Sequence, residues 1–305
     1  MICVNPEDVY NAATIWRKIA YCYLQMNLLA EAETECAKSI VMDPSDNSYF
    51  VMFLIKMADN NAQATEFLLK ISLNDRPDIY IKAANYAFKY GKKTVLKFIL
   101  KKVVTSAESI QWEKNEYYAS LITVLRCLTR SMFEDIKALV SESMSEFSEL
   151  YSLFEKSSKL LAMKEFPCKS DLYWFYKMAW NTSLLLVNNS ESPVDLIVQF
   201  FLLTNQMIIA ISDATSFELS SRKSCLFMAA TAQMGLARSN YLLLDSIIRM
   251  LDEFKQVGRD LEEIDHSYRY NHDPLMIQAI VIEFECKARM SDWVAIDSII
   301  KVSSS

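Results

Sequence analysis

WRKIAYCYLQMNLLAEAETECAKSIVMDP, from Trp16 to Pro44, is the stretch whose reading decides the fold. Trp16, Ile19, Ala20 and Tyr23 recur at i, i+3, i+4 and i+7, which predicts a helix with one apolar stripe, while Arg17, Lys18 and Gln25 fall off it. Leu29, Ala32, Cys36 and Ile40 repeat the arrangement on a second helix, with Glu31, Glu33, Glu35 and Lys38 outward. Two helices close to about 8–10 Å only where little side chain intervenes, and Ala20 faces Ala32 at the matching sites. Asp43-Pro44 ends the second helix, because proline disfavours helical geometry in the residue before it. The stretch is therefore one helical hairpin.

With Trp16 at the fourth position of a 34-residue unit, Ile19, Ala20, Tyr23, Ala32 and Pro44 resemble the signature of a tetratricopeptide (TPR) repeat. A single hairpin of this kind cannot bury its apolar face, and about three must stack for stability. The sequence supplies them. Tyr49, Phe50, Phe53, Leu54 and Met57, a turn at Asp59-Asn60-Asn61, and Ala64, Leu68 and Ile71 form a second, degenerate hairpin. Pro77-Asp78 opens a third, with Ile79, Tyr80, Ala83, Ala84, Ala87 and Phe88, a turn at Tyr90-Gly91, and then Val95, Leu96, Ile99 and Val103. Gly91 stands where a helix would end in a left-handed residue.

Residues 1–105 thus hold three TPR-like hairpins. Residues 106–305 continue the same solenoid as degenerate helical repeats. The expected helices run from Trp112 to Thr129, Met132 to Met163 (as one or two), Leu172 to Val187, Leu196 to Ser212, Arg222 to Leu236, Tyr241 to Val257, Pro274 to Met290 and Asp292 to Val302. Pro167 breaks the pattern, Asp171 caps the helix after it, and Ser192-Pro193-Val194-Asp195 reads as a capping box with proline at the first helical position. The fold expected is all-α, a TPR-like α-solenoid of antiparallel hairpins stacked into a superhelix.

Composition agrees: 3 Gly and 6 Pro in 305 residues favour long helices joined by short loops, and 52% hydrophobic residues suffice for a core. The net charge of −6 gives no global attraction to nucleic acid and argues against direct DNA binding. Seven scattered cysteines without a C-x-x-C read as reduced core thiols. The longest uncharged run, Leu196 to Ser212, carries Gln199, Thr204, Asn205 and Gln206 and falls short of a membrane span.

Little in the sequence signals chemistry. Gly91, Gly235 and Gly258 are isolated, so no glycine-rich phosphate cradle is present. His266 and His272, six apart in a polar connector, lack the spacing of metal ligands and read as exposed loop histidines. Acid pairs such as Glu134-Asp135 point apart on a helix. The expectation is no catalytic residue, no cofactor, no metal and no small-molecule substrate. Between Asp78 and Glu108 lie seven lysines (82, 89, 92, 93, 97, 101 and 102) and no acid, a basic ridge for an acidic partner or DNA phosphates, or simply a solvated helix face. Tyr80, Tyr86, Phe88 and Tyr90 interleave with it at a spacing that suggests core packing. The first hairpin would show Thr14, Arg17, Lys18, Tyr21 and Leu24 on its inner surface. The candidate partner-binding residues are Arg17, Lys18, Tyr21, Lys92, Lys93 and Lys97.

Three segments together carry a more specific resemblance. They are the Trp16 hairpin, Trp174-Phe175-Tyr176-Lys177-Met178-Ala179-Trp180-Asn181, and Arg222-Lys223-Ser224-Cys225-Leu226-Phe227-Met228-Ala229-Ala230. In this order they resemble the meiosis-specific TPR scaffold family of yeast sporulation and synapsis-initiation proteins and the mammalian testis-expressed member. Ile282 to Lys287 is a weaker echo, so the likeness covers roughly residues 14 to 290. It implies a non-enzymatic scaffold in the nucleus, on meiotic chromosomes, whose partners are other recombination and synaptonemal complex proteins and which supports crossover formation. Trp174, Phe175 and Trp180 read as core and Asn181 as a buried amide. Members of the family are several times longer, and Ile296, Ile299 and Ile300 form an uncapped stripe, so the chain reads as a fragment or a piece that relies on a partner. An adaptor subunit of a non-meiotic complex is the alternative, and an enzyme of unrecognised kind a third.

Overall fold

A computed structural model describes residues 6–60, 63–106, 115–138, 144–162, 169–189, 192–211, 215–237 and 240–303. Every regular element among them is helical. The expectations for Cys3, Asn61, Trp112, Met163, Pro167, Cys168 and Ser212 lie outside the described residues. The chain divides into two compact units, Met1–Ser131 and Met132–Ser305.

The first unit holds α1 (Pro6–Gln25), α2 (Leu29–Met42), α3 (Asp46–Ala58), α4 (Ala64–Leu69), α5 (Pro77–Lys89), α6 (Lys93–Ser106) and the start of α7 (Asn115–Ala138). Helices pack on their successors (α1 on α2, α2 on α3, α3 on α4, α5 on α6) and on the helix after that (α1 on α3, α3 on α5, α4 on α6). Such short-range contact along the chain is the signature of stacked helical repeats. Ala20, Ala32 and Cys36 are fully buried, and Met52 and Ile55 of the next hairpin seal their layer with Tyr23, Leu24, Ile40 and Phe67.

What makes the turn within each of the three hairpins tight is a single left-handed residue. Asn27, Asn60 and Gly91 have φ between 56° and 67°, at nearly the period expected of the hairpins. At the first turn Leu28 N–H donates to Tyr23 O and Asn27 N–H to Leu24 O, and at the third Lys92 N–H donates to Ala87 O and Gly91 N–H to Phe88 O. These are paired bonds of the Schellman type, which satisfy the last carbonyls of the helix. The short α4 ends differently: the buried Tyr80 hydroxyl of α5 lies 2.9 Å from Leu68 O, which also accepts from Ile71 N–H, and 3.1 Å from Ile71 O, tying the end of α4 to α5.

The second unit holds the end of α7, then α8 (Met144–Ala162), α9 (Lys169–Val187), α10 (Val194–Ile209), α11 (Ser216–Ala237), α12 (Leu244–Ile264), α13 (Pro274–Arg289) and α14 (Trp293–Ser303), with 3-10 turns at Tyr241–Leu243 and Tyr270–His272. From α8 to α14 each helix packs on the next, and α8 also meets α10 and α11 meets α13. Its aromatic core runs through Phe154, edge-on to Phe175 and Phe200, and through Trp180 against Phe201. The α13–α14 hairpin turns on Ser291 at φ 58°, with Asp292 N–H donating to Lys287 O and Ser291 N–H to Ala288 O. The tight turn of the first unit therefore returns here although the 34-residue pattern is no longer readable.

Several expectations need correction. α7 continues without a break through Thr129 to Ala138. No capping box forms before α10: Pro193 is itself the cap, makes no side-chain bond, and Ser192 Oγ is buried without a partner. Asn181 is exposed, because the inward face of α9 is Leu172, Phe175, Tyr176, Ala179, Thr182, Ser183 and Leu186. Phe88 is 74% exposed, off the face formed by Tyr80, Ala83, Ala84 and Ala87. Cys36, Cys225 and Cys286 are core thiols, but Cys22 and Cys127 are exposed.

Candidate interaction site

Arg17 is not a surface contact. The residue is only 8% exposed, and its guanidinium donates to Asp43 Oδ2 (2.7 Å), Thr14 Oγ1 (2.7 Å) and Ser48 Oγ (3.1 Å), with Ser45 Oγ at 3.4 Å. Ser48 Oγ in turn pairs with Ser39 Oγ at 2.9 Å. Asp43 ends α2 and Ser45 precedes α3, so Arg17 clasps α1, the α2–α3 connector and α3 together. The carboxylate and the hydroxyls around it offset the cost of withdrawing this charge from water.

Lys18 and Tyr21 are exposed, as expected. Tyr21 Oη lies 3.5 Å from Tyr86 Oη of α5. The Tyr86 ring stacks on Tyr90, centroids 6.2 Å apart with planes within 8°, and its other neighbour is Phe50 of α3, edge-on at 6.2 Å. One tyrosine-rich ladder thus crosses α1, α3 and α5. Tyr21 remains 37% exposed and Tyr90 52% exposed. The hydrogen bond to Tyr86, burial and the neighbouring phenols Tyr86 and Tyr90 all raise the pKa of Tyr21, so its hydroxyl stays protonated and able to donate.

The basic turn sits at the end of this ladder because Tyr90 and Gly91 connect α5 directly to Lys92 and Lys93. Lys89 Nζ lies 5.8 Å from the centroid of the Tyr90 ring, within cation–π range. Lys92 Nζ donates to Asn60 Oδ1 in the preceding hairpin turn, which ties the two turns together and holds its ammonium in place. Lys93 is exposed at the first position of α6, and Lys97 stands one turn further along it. Of the six residues expected to bind a partner, the structure joins Tyr21 to Lys92 and Lys93 through Tyr86 and Tyr90, leaves Lys18 one helical turn before Tyr21, and withdraws Arg17. Tyr86 and Tyr90 themselves were read as core. The register gave half the signal: Tyr86 lies off the inward stripe of Tyr80, Ala83, Ala84 and Ala87, whereas Tyr90, seven past Ala83, shares its register and is exposed because α5 ends at Lys89.

The second unit contains a different polar cluster. Lys223 of α11 pairs with Asp273, both side chains nearly fully buried, and also donates to Tyr268 Oη at 3.1 Å. Tyr268 Oη donates to Asp273 Oδ2 at 2.6 Å, and Asp273 Oδ1 caps α13 by accepting from Leu275 N–H. Burial raises the Asp273 pKa, but the bonds from Lys223, Tyr268 and Leu275 outweigh it and hold the carboxyl below its ordinary value. Every charge here is matched within the fold, so the cluster is a fastening. Nearby, Arg222 Nη2 pairs with Glu253 and Arg222 Nε donates to Asn205 Oδ1, joining α10, α11 and α12.

His266 and His272 are exposed. Among the described residues no group of three or more His, Cys, Asp or Glu is placed to hold a metal ion. No described helix is long and apolar enough to cross a membrane. Comparison of the chain with models of known protein families finds no match, and comparison with curated proteins finds none.

Proposed function

We propose that this chain is a non-enzymatic protein-interaction scaffold whose first unit presents the Tyr21–Tyr86–Tyr90 ladder to a partner. The exposure of that ladder carries the reading. Three phenols and Phe50 drawn from the first helices of three successive hairpins form a continuous aromatic surface, and Tyr21 and Tyr90 keep a large part of their rings in water. Rigid amphipathic tyrosines of this kind concentrate binding energy at protein interfaces.

The assembly we assign is the meiotic recombination machinery on chromosomes in the nucleus, where the chain supports crossover formation and synaptonemal complex assembly. The three segments that resemble the meiotic scaffold family support this assignment. One of them, Arg222 to Ala230, contains Arg222 and Lys223, the two cations that tie α11 to its neighbours.

A photo-crosslinking residue at position 90, introduced in meiotic cells and read by mass spectrometry, tests both parts. Crosslinks to recombination or synaptonemal complex proteins are expected, together with loss of crossovers on deletion. Crosslinks confined to the subunits of one complex outside meiosis would move the chain to the adaptor reading. Absence of crosslinks at position 90, with crosslinks recovered elsewhere on the chain, would remove the ladder from the interface.

A further inference from the structure

We infer that the occupant of the tyrosine ladder is an acidic, extended protein segment, its carboxylates held by the lysine turn and its apolar side chains by the rings. The inference rests on the ladder being a docking surface, as proposed above, and adds the chemistry of what docks.

Three observations point to acid. The chain carries a net charge of −6, yet from residue 79 to residue 107 it holds seven lysines and no Asp or Glu, so the sign of the surface reverses locally. Two of those lysines are positioned rather than free to wander: Lys89 over the Tyr90 ring and Lys92 on Asn60 Oδ1. Lys93 follows directly and is exposed, which places three ammonium groups within five residues, 89 to 93, at one end of the ladder. Cations already ordered by the fold lose less freedom when they engage an anion.

The aromatic half argues for a peptide. Tyr21 and Tyr86 bring two hydroxyls within 3.5 Å of each other, able to donate to a carboxylate or backbone carbonyl, while the stacked Tyr86 and Tyr90 rings offer an apolar face for an aliphatic side chain. Nucleic acid would also seek lysine and rings. The acidic peptide is favoured because the lysines at the end of the ladder are confined to one short turn, 89 to 93, of a chain with net negative charge, whereas a nucleic-acid strand needs a continuous positive track beside the rings.

The test uses the purified full chain and fluorescence anisotropy with two labelled probes, a peptide alternating Glu and Leu and its counterpart with Gln for Glu. The acidic probe should bind at least roughly tenfold more tightly, and its advantage should shrink by a similar factor between about 0.05 and about 0.5 M salt as charges are screened. Replacing Lys89, Lys92 and Lys93 together by Glu should abolish binding with the helical circular dichroism spectrum unchanged. Tyr90→Ala, at an exposed ring, should weaken both probes severalfold while leaving the salt dependence in place. Equal binding of the two probes, binding of neither, or a single-stranded oligonucleotide that displaces the acidic peptide and is lost in the lysine variant would each overturn the inference. If the acidic probe fails while the residue-90 crosslink still reaches a partner protein, the docking surface stands and only its chemistry is wrong.

Discussion

At the scale of single residues, Arg17 shows how little a helical stripe says about a charged side chain. Its position off the apolar stripe of α1 is correct, but the surface it faces is occupied by Asp43 and Ser48, brought back by the hairpin. Removing the guanidinium takes the cation from the part-buried Asp43 carboxylate, which keeps only the Ser45 hydroxyl, and a donor from Thr14 and Ser48. We expect Arg17→Ala to destabilise the first unit by roughly 3 kcal/mol, as for other broken buried pairs, and Lys18→Ala one position along to be nearly neutral. Chemical denaturation of the two variants checks this, and equal midpoints would contradict the clasp. The thiols make the same point in reverse. Burial pushes Cys36 up to about 12 and Cys286 up to about 11, while Cys22, one position from Tyr21 on the same helix, lies open to solvent.

At the scale of elements, the recurring device is the left-handed residue between paired helices. Asn27, Asn60, Gly91 and Ser291 all occupy it, and only Gly91 was readable in advance, because glycine alone announces a positive φ. A side chain costs something at this backbone geometry, most for a residue such as serine. Ser291→Gly should therefore stabilise the α13–α14 hairpin by up to about 1 kcal/mol, and Gly91→Ala should cost about as much, since no neighbour blocks the added carbon. Thermal melting of the pair tests the turn, and shifts of the same sign would refute it. Gly258 is a different case. A Cβ there would stand 2.7 and 2.9 Å from Tyr270 ring carbons, so Gly258→Ala gains helix propensity but must displace the ring that pins the connector before α13. We expect a net loss of about 1 kcal/mol. Tryptic cleavage after Arg269 should quicken accordingly, and an unchanged cleavage rate would show that the ring moves aside freely.

For the whole molecule, the titrating groups set a pH window. Asp78, held down first by the Arg76 hydrogen bond, and Asp273, held down against its burial by Lys223 and Tyr268, have folded pKa values below their ordinary 3.8. Their stabilisation is present above about pH 4 and is lost as pH falls through the folded values. Burial raises Cys36 from 9 to about 12, so that contribution is complete below pH 9 and is lost as pH rises towards 12. The urea midpoint should hence be flat between about pH 5 and 8 and fall on both sides, and a midpoint that keeps rising below pH 4 would sink the assignment of the acid pairs.

The sequence by itself determined that the chain is helical, where most helices start and stop, and which small residues let the first two helices close. These are local properties: the 3.6-residue period, proline at a first turn, and alanine at a crossing are each legible within one or two turns. Only the tertiary structure decided which polar residues are buried and which aromatic ones are not. Arg17 meets Asp43 across 26 residues, and Tyr21 meets Tyr86 across 65. Such pairings depend on the register in which hairpins stack, and periodicity within one helix fixes the face a residue occupies without fixing what that face will meet.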